Sequence, residues 1–246
     1  MKLNNKGFAI STIMYMILIM AVILITLTLT LLSSRKLILD KTKQVAIENI
    51  YDIKNSRLPD AYKEVEYIQS TGTEYIDTNF IPNQDTRVII DYQYIEILNA
   101  FLIGARTNST TNAYTINVGN SATTTVTSYG TTGNVIYGNP DTKRHLVDKN
   151  KNLFYVDGVL LLTQPKQTFT APGSLEIFAA YNGGTKGYLP SKTRLYSLKI
   201  YDNEKLVRNF VPCYRIIDSV IGLYDLVEDK FYTNSGTGTF LKGNDI

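Results

Sequence analysis

The hydrophobic pattern divides the chain into two regions of different character. From Phe8 to Leu32 none of the 25 residues is charged, and Ile, Leu, Met and Val dominate. A helix of about 20 residues already crosses a hydrocarbon core of about 30 Å, and a helix is the open segment that satisfies its own backbone in lipid. The pattern therefore predicts a membrane-spanning helix. Its threonine hydroxyls are expected to bond back to earlier carbonyls.

Apolar and charged residues stay mixed at helical spacing beyond the span, with no Gly or Pro before Pro59. This spacing predicts one helix from Phe8 to about Ile53, roughly 45 residues and ~68 Å long, half of it a stalk. Proline disfavours helical geometry in the residue before it, so a linker is expected over 55–62.

From residue 63 the pattern changes to short β-rich runs separated by Gly, Asn, Asp and Pro. The predicted strands are 63–69, 74–80, 86–94, 100–106, 114–118, 124–129, 144–148, 153–156, 159–163, 174–181, 194–201, 206–211 and 221–226. Many short strands with closely spaced turns favour a β-sandwich or jelly roll over 63–246, with no helix after the linker.

Alternation within two runs predicts which side chains share a face. Val88, Ile90 and Tyr92 fall on one side of the run 86–94. In the run 194–201, Leu195 is expected on one face of the strand, with Tyr196, Leu198 and Ile200 on the other face.

The dipeptide Asp157-Gly158 is the sharpest turn signal, because both residues accept the positive φ of a two-residue hairpin. It predicts a hairpin between 153–156 and 159–163. Phe154, Val156 and Leu160 are expected on one side of that hairpin, with Tyr155 on the other.

Composition excludes several classes of protein. The net charge is +3 and is not concentrated in a basic block, so no nucleic-acid partner is indicated. Cys213 is the single cysteine, which makes a disulfide within the chain impossible, and its apolar surroundings predict a buried small hydrophobe.

The residues before the span carry a second signal. Asn4 to Phe8 read Asn-Asn-Lys-Gly-Phe, a short polar and basic leader followed by Gly and Phe. This resembles the signal of type IV prepilins, in which a membrane peptidase cuts after the Gly and the Phe is then methylated. The resemblance implies a prepilin peptidase as partner, processing at Gly7 and Phe8, a leader at 1–7, and a retained span and stalk at 8–54.

The filament role that this resemblance implies stays open. Major pilins usually carry Glu at the fifth mature position, but this chain has Thr12 there. Some minor pilins and pseudopilins also lack that Glu. Contact with other pilin subunits is therefore one alternative, and a plain uncleaved anchor in membrane lipid is another. A secretory signal peptide is disfavoured because its apolar region is shorter and ends in small residues, whereas Arg35 and Lys36 follow here.

Positive charges flank both ends of the span, and their count alone would favour the opposite orientation. The prepilin resemblance and the large carboxyl-terminal domain imply a single-pass protein with a cytoplasmic amino terminus. The β domain would then be extracellular, either on the cell membrane or in a pilus or pseudopilus.

The β region carries its own resemblance. A histidine-containing strand at Arg144–Asp148, a polar turn, and the run Leu153–Leu160, which includes Tyr-Val-Asp-Gly, resemble the central hairpins of laminin G-like, concanavalin A-like domains. The runs at 65–78, 192–202 and 222–238 are similar to a bacterial and phage branch of that family. The resemblance implies the fold and leaves the function open, because this fold carries lectins, glycosidases and spacers.

Enzymatic chemistry finds little support. A glycosidase needs two facing carboxylates, and the nearest run is Glu64-Val65-Glu66 in the first strand. His145 is the only histidine, and the laminin G-like resemblance implies a packing role for it in a strand. Ca²⁺ is conceivable through aspartates that are better explained as turn residues: Asp77, Asp148, Asp157, Asp202 and Asp225.

Aromatic residues give the remaining lead, because sugars are bound by aromatic faces and planar polar groups. The loop-rich run 106–137 holds the candidates: Arg106, Asn108, Asn112, Tyr114, Asn117, Tyr129 and Tyr137. We therefore predict no enzyme and no required cofactor, but a lectin-like surface module that binds glycans or another surface in adhesion. The alternative is a structural minor pilin or spacer without a soluble ligand, and ordinary sandwich packing would explain the same aromatics.

Overall fold

The computed structural model describes residues 13–36, 58–119 and 121–246. The chain divides into two compact units, Met1–Ser56 and Arg57–Ile246. In the first unit, helix α1 spans Ile13–Lys36 and is long and apolar enough to cross a membrane, a test that a signal sequence near an amino terminus also passes. The predicted leader, the Gly7–Phe8 junction and the stalk beyond residue 36 lie outside the described residues.

The predicted hydroxyl bonds of α1 are confirmed. The Thr26 Oγ1 donates to the carbonyl oxygens of Val22 at 3.0 Å and Ile23 at 2.8 Å. The hydroxyls of Thr28 and Thr30 likewise each donate to the carbonyl oxygens three and four residues earlier in the helix. These hydroxyls therefore expose no unsatisfied donor on an apolar helix.

The second unit is all β, which confirms the predicted class of an amino-terminal helix followed by a β-sandwich. Its strands are β1 Tyr62–Glu64, β2 Ile68–Gln69, β3 Ile76–Asp77, β4 Thr86–Tyr94, β5 Phe101–Arg106, β6 Ala113–Val118, β7 Thr125–Gly130, β8 Thr132–Gly138, β9 Arg144–Asn150, β10 Leu153–Val156, β11 Val159–Thr163, β12 Glu176–Ile177, β13 Ala180–Asn182, β14 Thr185–Tyr188, β15 Thr193–Asp202, β16 Lys205–Arg215, β17 Ile221–Asp225, β18 Lys230–Thr233 and β19 Leu241–Lys242.

These strands form two sheets. The first has the order β11-β10-β9-β4-β15-β16-β17-β18, with β1 beside β16 and with β2 joining β15 to β19. The second has the order β14-β13-β5-β6-β7-β8, with β12 joining β3 to β5. Neighbouring strands are antiparallel except for β13 and β5, which are parallel.

Alternation in β4 is confirmed, and alternation in β15 is corrected. Val88, Ile90 and Tyr92 are all buried on the core side of β4. In β15 the register shifts between Leu195 and Ser197, so one extra residue there returns Leu195 to the side of Leu198. Both leucines are fully buried, and the prediction that they lie on opposite sides is wrong.

The predicted hairpin at Asp157-Gly158 is confirmed. Val156 pairs with Val159, and the two turn residues have φ values of 50° and 79°. The expected position of Leu160 is wrong, because a two-residue turn pairs it with Tyr155 and cross-strand partners share a face.

Residues with positive φ explain two differences between the predicted and the observed strands. The predicted strand 174–181 is split into β12 and β13 by Phe178, whose φ of 68° no extended strand can hold. The strand β8 was not predicted, and it follows β7 through a turn that begins at Gly130, with a φ of 63°. Strands β14, β18 and β19 were also missed.

The two ends of the sandwich lie side by side. The strand β2 pairs with β19, and Val65 forms an isolated bridge to Asp245. The Glu66 amide donates to the carbonyl of Asn244 at 2.9 Å. The first and last strands of the domain are therefore fixed against each other.

Candidate binding site

The structure distributes the predicted site residues along the second sheet. Arg106 ends β5, Tyr114 lies in β6, Tyr129 in β7 and Tyr137 in β8. Asn112 precedes β6 in a left-handed conformation with a φ of 48°. Tyr114 and Tyr129 are direct cross-strand partners. Arg106 and Tyr137 lie three strands apart, about 14 Å at a spacing of about 4.8 Å per strand, so the predicted residues do not all converge on one site.

Tyr114 and Tyr129 have structural roles. Tyr114 is fully buried, and its hydroxyl donates to the Lys149 carbonyl at 3.0 Å. The Tyr129 hydroxyl donates to the Gln84 carbonyl at 2.8 Å, and the Tyr129 ring contacts Phe169 edge to face. Neither ring presents a free face on which a sugar could stack.

Tyr137 lines a pocket of about 110 Å³ between the two sheets. The first sheet contributes Tyr92, Tyr94 and His145, and the second contributes Thr125. The remaining lining residues are Gly138, Asn139, Pro140, Asp141, Val156 and Leu161. An engineered cavity of about 150 Å³ holds benzene, so this pocket accommodates several waters or one edge of a small polar molecule.

Three hydroxyls in this pocket are unpaired. The Tyr94, Tyr137 and Thr125 hydroxyl oxygens are buried and have no hydrogen-bond partner within the part of the chain that the structure describes. A buried polar group without a partner costs about 1–3 kcal/mol, and such groups are few in native proteins. Their convergence on one pocket leaves room there for a polar molecule, such as water, to complete their hydrogen bonds.

The phenols of the pocket are strongly desolvated. Burial raises the pKa of Tyr92, Tyr94 and Tyr137. The hydroxyls of Thr125 and Tyr92 are close enough to lower the pKa of Tyr137 in part, and the Tyr92 hydroxyl does the same for Tyr94, although none of these contacts has the geometry of a hydrogen bond. All three phenols are therefore neutral at physiological pH and able to donate to an oxygen acceptor.

His145 contacts two aspartates beside the pocket. Its Nδ1 is 2.7 Å from Asp157 Oδ2, and its Nε2 is 2.9 Å from Asp141 Oδ1. Partial burial lowers the pKa of His145, but the hydrogen bonds and charges of the two carboxylates outweigh it and raise that pKa above 6.5. The predicted packing role is therefore incomplete, because His145 joins the Asp141 loop to the Asp157 turn.

Asp77 and Glu176 are two neighbouring carboxylates on the second sheet. These residues are partners across β3 and β12. Burial raises the pKa of Glu176 to about 7, whereas hydrogen bonds from Lys186 and Ser174 overcome burial and lower the pKa of Asp77. Glu176 is fully buried and accepts from the Gly187 amide at 2.8 Å, so its carboxyl has no open face for a saccharide.

The remaining predictions concern the cysteine, a possible metal site and the aspartates. Cys213 is buried and free, as predicted, and burial raises the pKa of its thiol to about 12. Among the described residues, no group of three or more His, Cys, Asp or Glu side chains could hold a metal ion. Asp148 lies in β9 rather than in a turn and pairs with Arg87 at 2.8 Å.

Sequence reasoning found Tyr137 but missed Tyr92, Tyr94 and Thr125. One signal was present, because Tyr92 and Tyr94 alternate on the buried face of β4, where a phenol needs a partner. Their approach to Tyr137 depends on the packing of one sheet on the other, which no local pattern encodes.

No protein-family model matches this sequence, and no curated protein matches it. The fold and the geometry of the pocket are therefore the grounds for a function.

Proposed function

We propose that this chain is a membrane-anchored surface protein whose β-sandwich binds a glycan, with one sugar entering the tyrosine-lined pocket. The observation that carries the proposal is the convergence of three unpaired buried hydroxyls on one pocket. The pocket brings together hydroxyl donors and acceptors, tyrosine rings and the exposed residues Asn139 and Asp141.

A sugar edge suits these groups chemically. Each sugar hydroxyl both donates and accepts, so adjacent hydroxyls can pair with Tyr94, Tyr137 and Thr125 together. The Tyr92 and Tyr94 rings meet edge to face at 5.0 Å and line the same space with apolar surface. The volume of about 110 Å³ limits entry to part of one sugar, so the rest of a glycan would lie outside.

Two resemblances support the surface location. The order Lys6-Gly7-Phe8 before an apolar helix resembles a prepilin signal, and α1 has the length and composition of a membrane span. The laminin G-like pattern is compatible with the observed sandwich. In this proposal the amino terminus is cytoplasmic, the sandwich faces outward, and the protein binds without catalysis.

The binding proposal is tested by removing one hydroxyl while keeping its ring. We expect Tyr137→Phe in the full-length protein, held in lipid nanodiscs, to weaken binding of the glycan selected on an array about tenfold. The loss of one or two hydrogen bonds of about 0.5–1.5 kcal/mol each gives that factor. Affinity is measured by titration with the selected glycan.

Tyr155→Phe is the matched control, because Tyr155 lies on β10 but not in the pocket. It should leave the affinity unchanged. If the array shows no binding at high protein concentration, the binding proposal fails and the structural pilin subunit or spacer becomes the better explanation.

The anchoring proposal makes a separate prediction about residues outside the described part of the chain. Because a prepilin peptidase would cut after Gly7, the mature protein should begin at an amino-methylated Phe8. Mass spectrometry of the amino-terminal peptide from the membrane fraction measures this directly. A mature chain that begins at Met1 would contradict prepilin processing and leave a plain anchor.

A further inference from the structure

Arg106 is held rigidly at a second place on the sandwich, three strands from β8. Its Nε donates to Asn182 Oδ1 at 2.7 Å. The guanidinium carbon lies 4.7 Å from the centre of the Phe101 ring and 5.9 Å from that of Tyr188. One hydrogen bond and two aromatic rings therefore fix the position of the guanidinium.

The charge of Arg106 has no counter-charge in the described residues. Arg106 is only 9% exposed, and arginines buried to this degree are usually paired. Four other arginines of the sandwich do pair with carboxylates: Arg87, Arg144, Arg208 and Arg215. For Arg106 burial is the main influence and lowers the pKa of the guanidinium, and no carboxylate offsets it.

The outer edge of this guanidinium remains available. Within the described part of the chain, Nε is the nitrogen that has a hydrogen-bond partner, and the two terminal nitrogens are not among the buried unpaired atoms. An arginine edge with two parallel N–H groups matches a carboxylate in a bidentate pair. Tyr188, half-buried beside it, offers an aromatic surface next to that carboxylate.

We propose that Arg106 binds the carboxylate of a uronic acid, with the sugar ring lying against Tyr188. The choice of a sugar as the carrier of the carboxylate rests on the proposed function, whereas the Arg106 site itself is separate from the tyrosine-lined pocket. The site adds an acidic sugar to the ligand class of this surface.

The ligand test compares three sugars that differ in one group. Full-length protein in phosphatidylcholine nanodiscs is titrated with glucuronate, its neutral methyl ester and glucose, and binding is followed by saturation-transfer NMR. We expect saturable binding of glucuronate and at least tenfold weaker binding of the ester and of glucose. Equal binding of acid and ester, or no saturable binding of the acid, would overturn the proposal without any protein variant.

The variant test assigns that binding to one residue. Arg106→Gln should weaken glucuronate binding at least tenfold. Arg194→Gln is the matched control and should change nothing, because Arg194 also has no carboxylate partner among the described residues but donates to Gln69 and Gln93. Unchanged binding in Arg106→Gln would refute the site.

Competition with a neutral glycan separates this site from the pocket. The glycan selected on the array, added in excess to the parent protein, should leave glucuronate binding intact, since the pocket residue Tyr137 lies on β8 and Arg106 on β5. Displacement of glucuronate by that glycan would assign the acid to the pocket and overturn the Arg106 site, while failure of neutral glycans alone would affect only the pocket proposal.

Discussion

At the residue scale, Lys149 places an amino group inside the core between the sheets. It is 1% exposed, and its Nζ donates to the Ser128 carbonyl at 2.8 Å and to the Thr127 hydroxyl. The Tyr114 ring centre lies 4.6 Å from that nitrogen. No carboxylate among the described residues pairs with it, and burial lowers the pKa of Lys149 well below 10.5.

This lowered pKa predicts a pH-dependent stability. Between the lowered pKa and about 10.5, the unfolded chain binds a proton that the folded protein does not, so the free energy of unfolding rises with pH. Lys149→Met removes this contribution. Urea unfolding from pH 7 to pH 10 should therefore show the parent gaining stability relative to the variant.

The exposed Lys166 provides the control, because its side chain stays in water in both states. The difference between the parent and Lys166→Met should be constant over the same range. A constant difference for Lys149→Met as well would show that the buried amine stays charged in the folded protein.

At the element scale, the hairpin of β10 and β11 depends on its turn. Gly158 has a φ of 79°, and a β-carbon added there would meet no atom within 4 Å. Backbone strain alone would then oppose a larger side chain. Gly158→Val should lower the stability of the protein by roughly 1–3 kcal/mol, measured as a lower thermal midpoint.

Gly158→Asn is the matched comparison, because asparagine tolerates positive φ better than valine. It should cost clearly less. Equal losses in both variants would mean that side-chain size, rather than φ, limits this position.

Local signals explain which elements were predictable. The bounds 153–156 and 159–163 follow from one Asp-Gly turn between apolar runs, and both are observed. The strand β8 reads Thr-Gly-Asn-Val-Ile-Tyr-Gly, where two glycines and an asparagine hide its pairing with β7. The pocket was less predictable, because Tyr94 and Tyr137 come together only through the packing of the sheets.

At the scale of the whole molecule, residues 57–246 form a compact unit with its own core. We expect this segment, expressed alone, to fold cooperatively into a β-rich protein. Because no metal-binding group is found among its described residues, a chelator should not shift its thermal midpoint. A helical circular dichroism spectrum, or unfolding on chelation, would contradict this prediction.

The pairing of the first strands with the last has a consequence for how the protein is made. Ile68 pairs with Lys242, and Tyr62 in β1 pairs with Arg215. Contacts between residues so far apart in sequence form late and slow folding. The sandwich therefore closes only after synthesis has passed about residue 242, and until then its first strands lack the partners that hold them in the sheet.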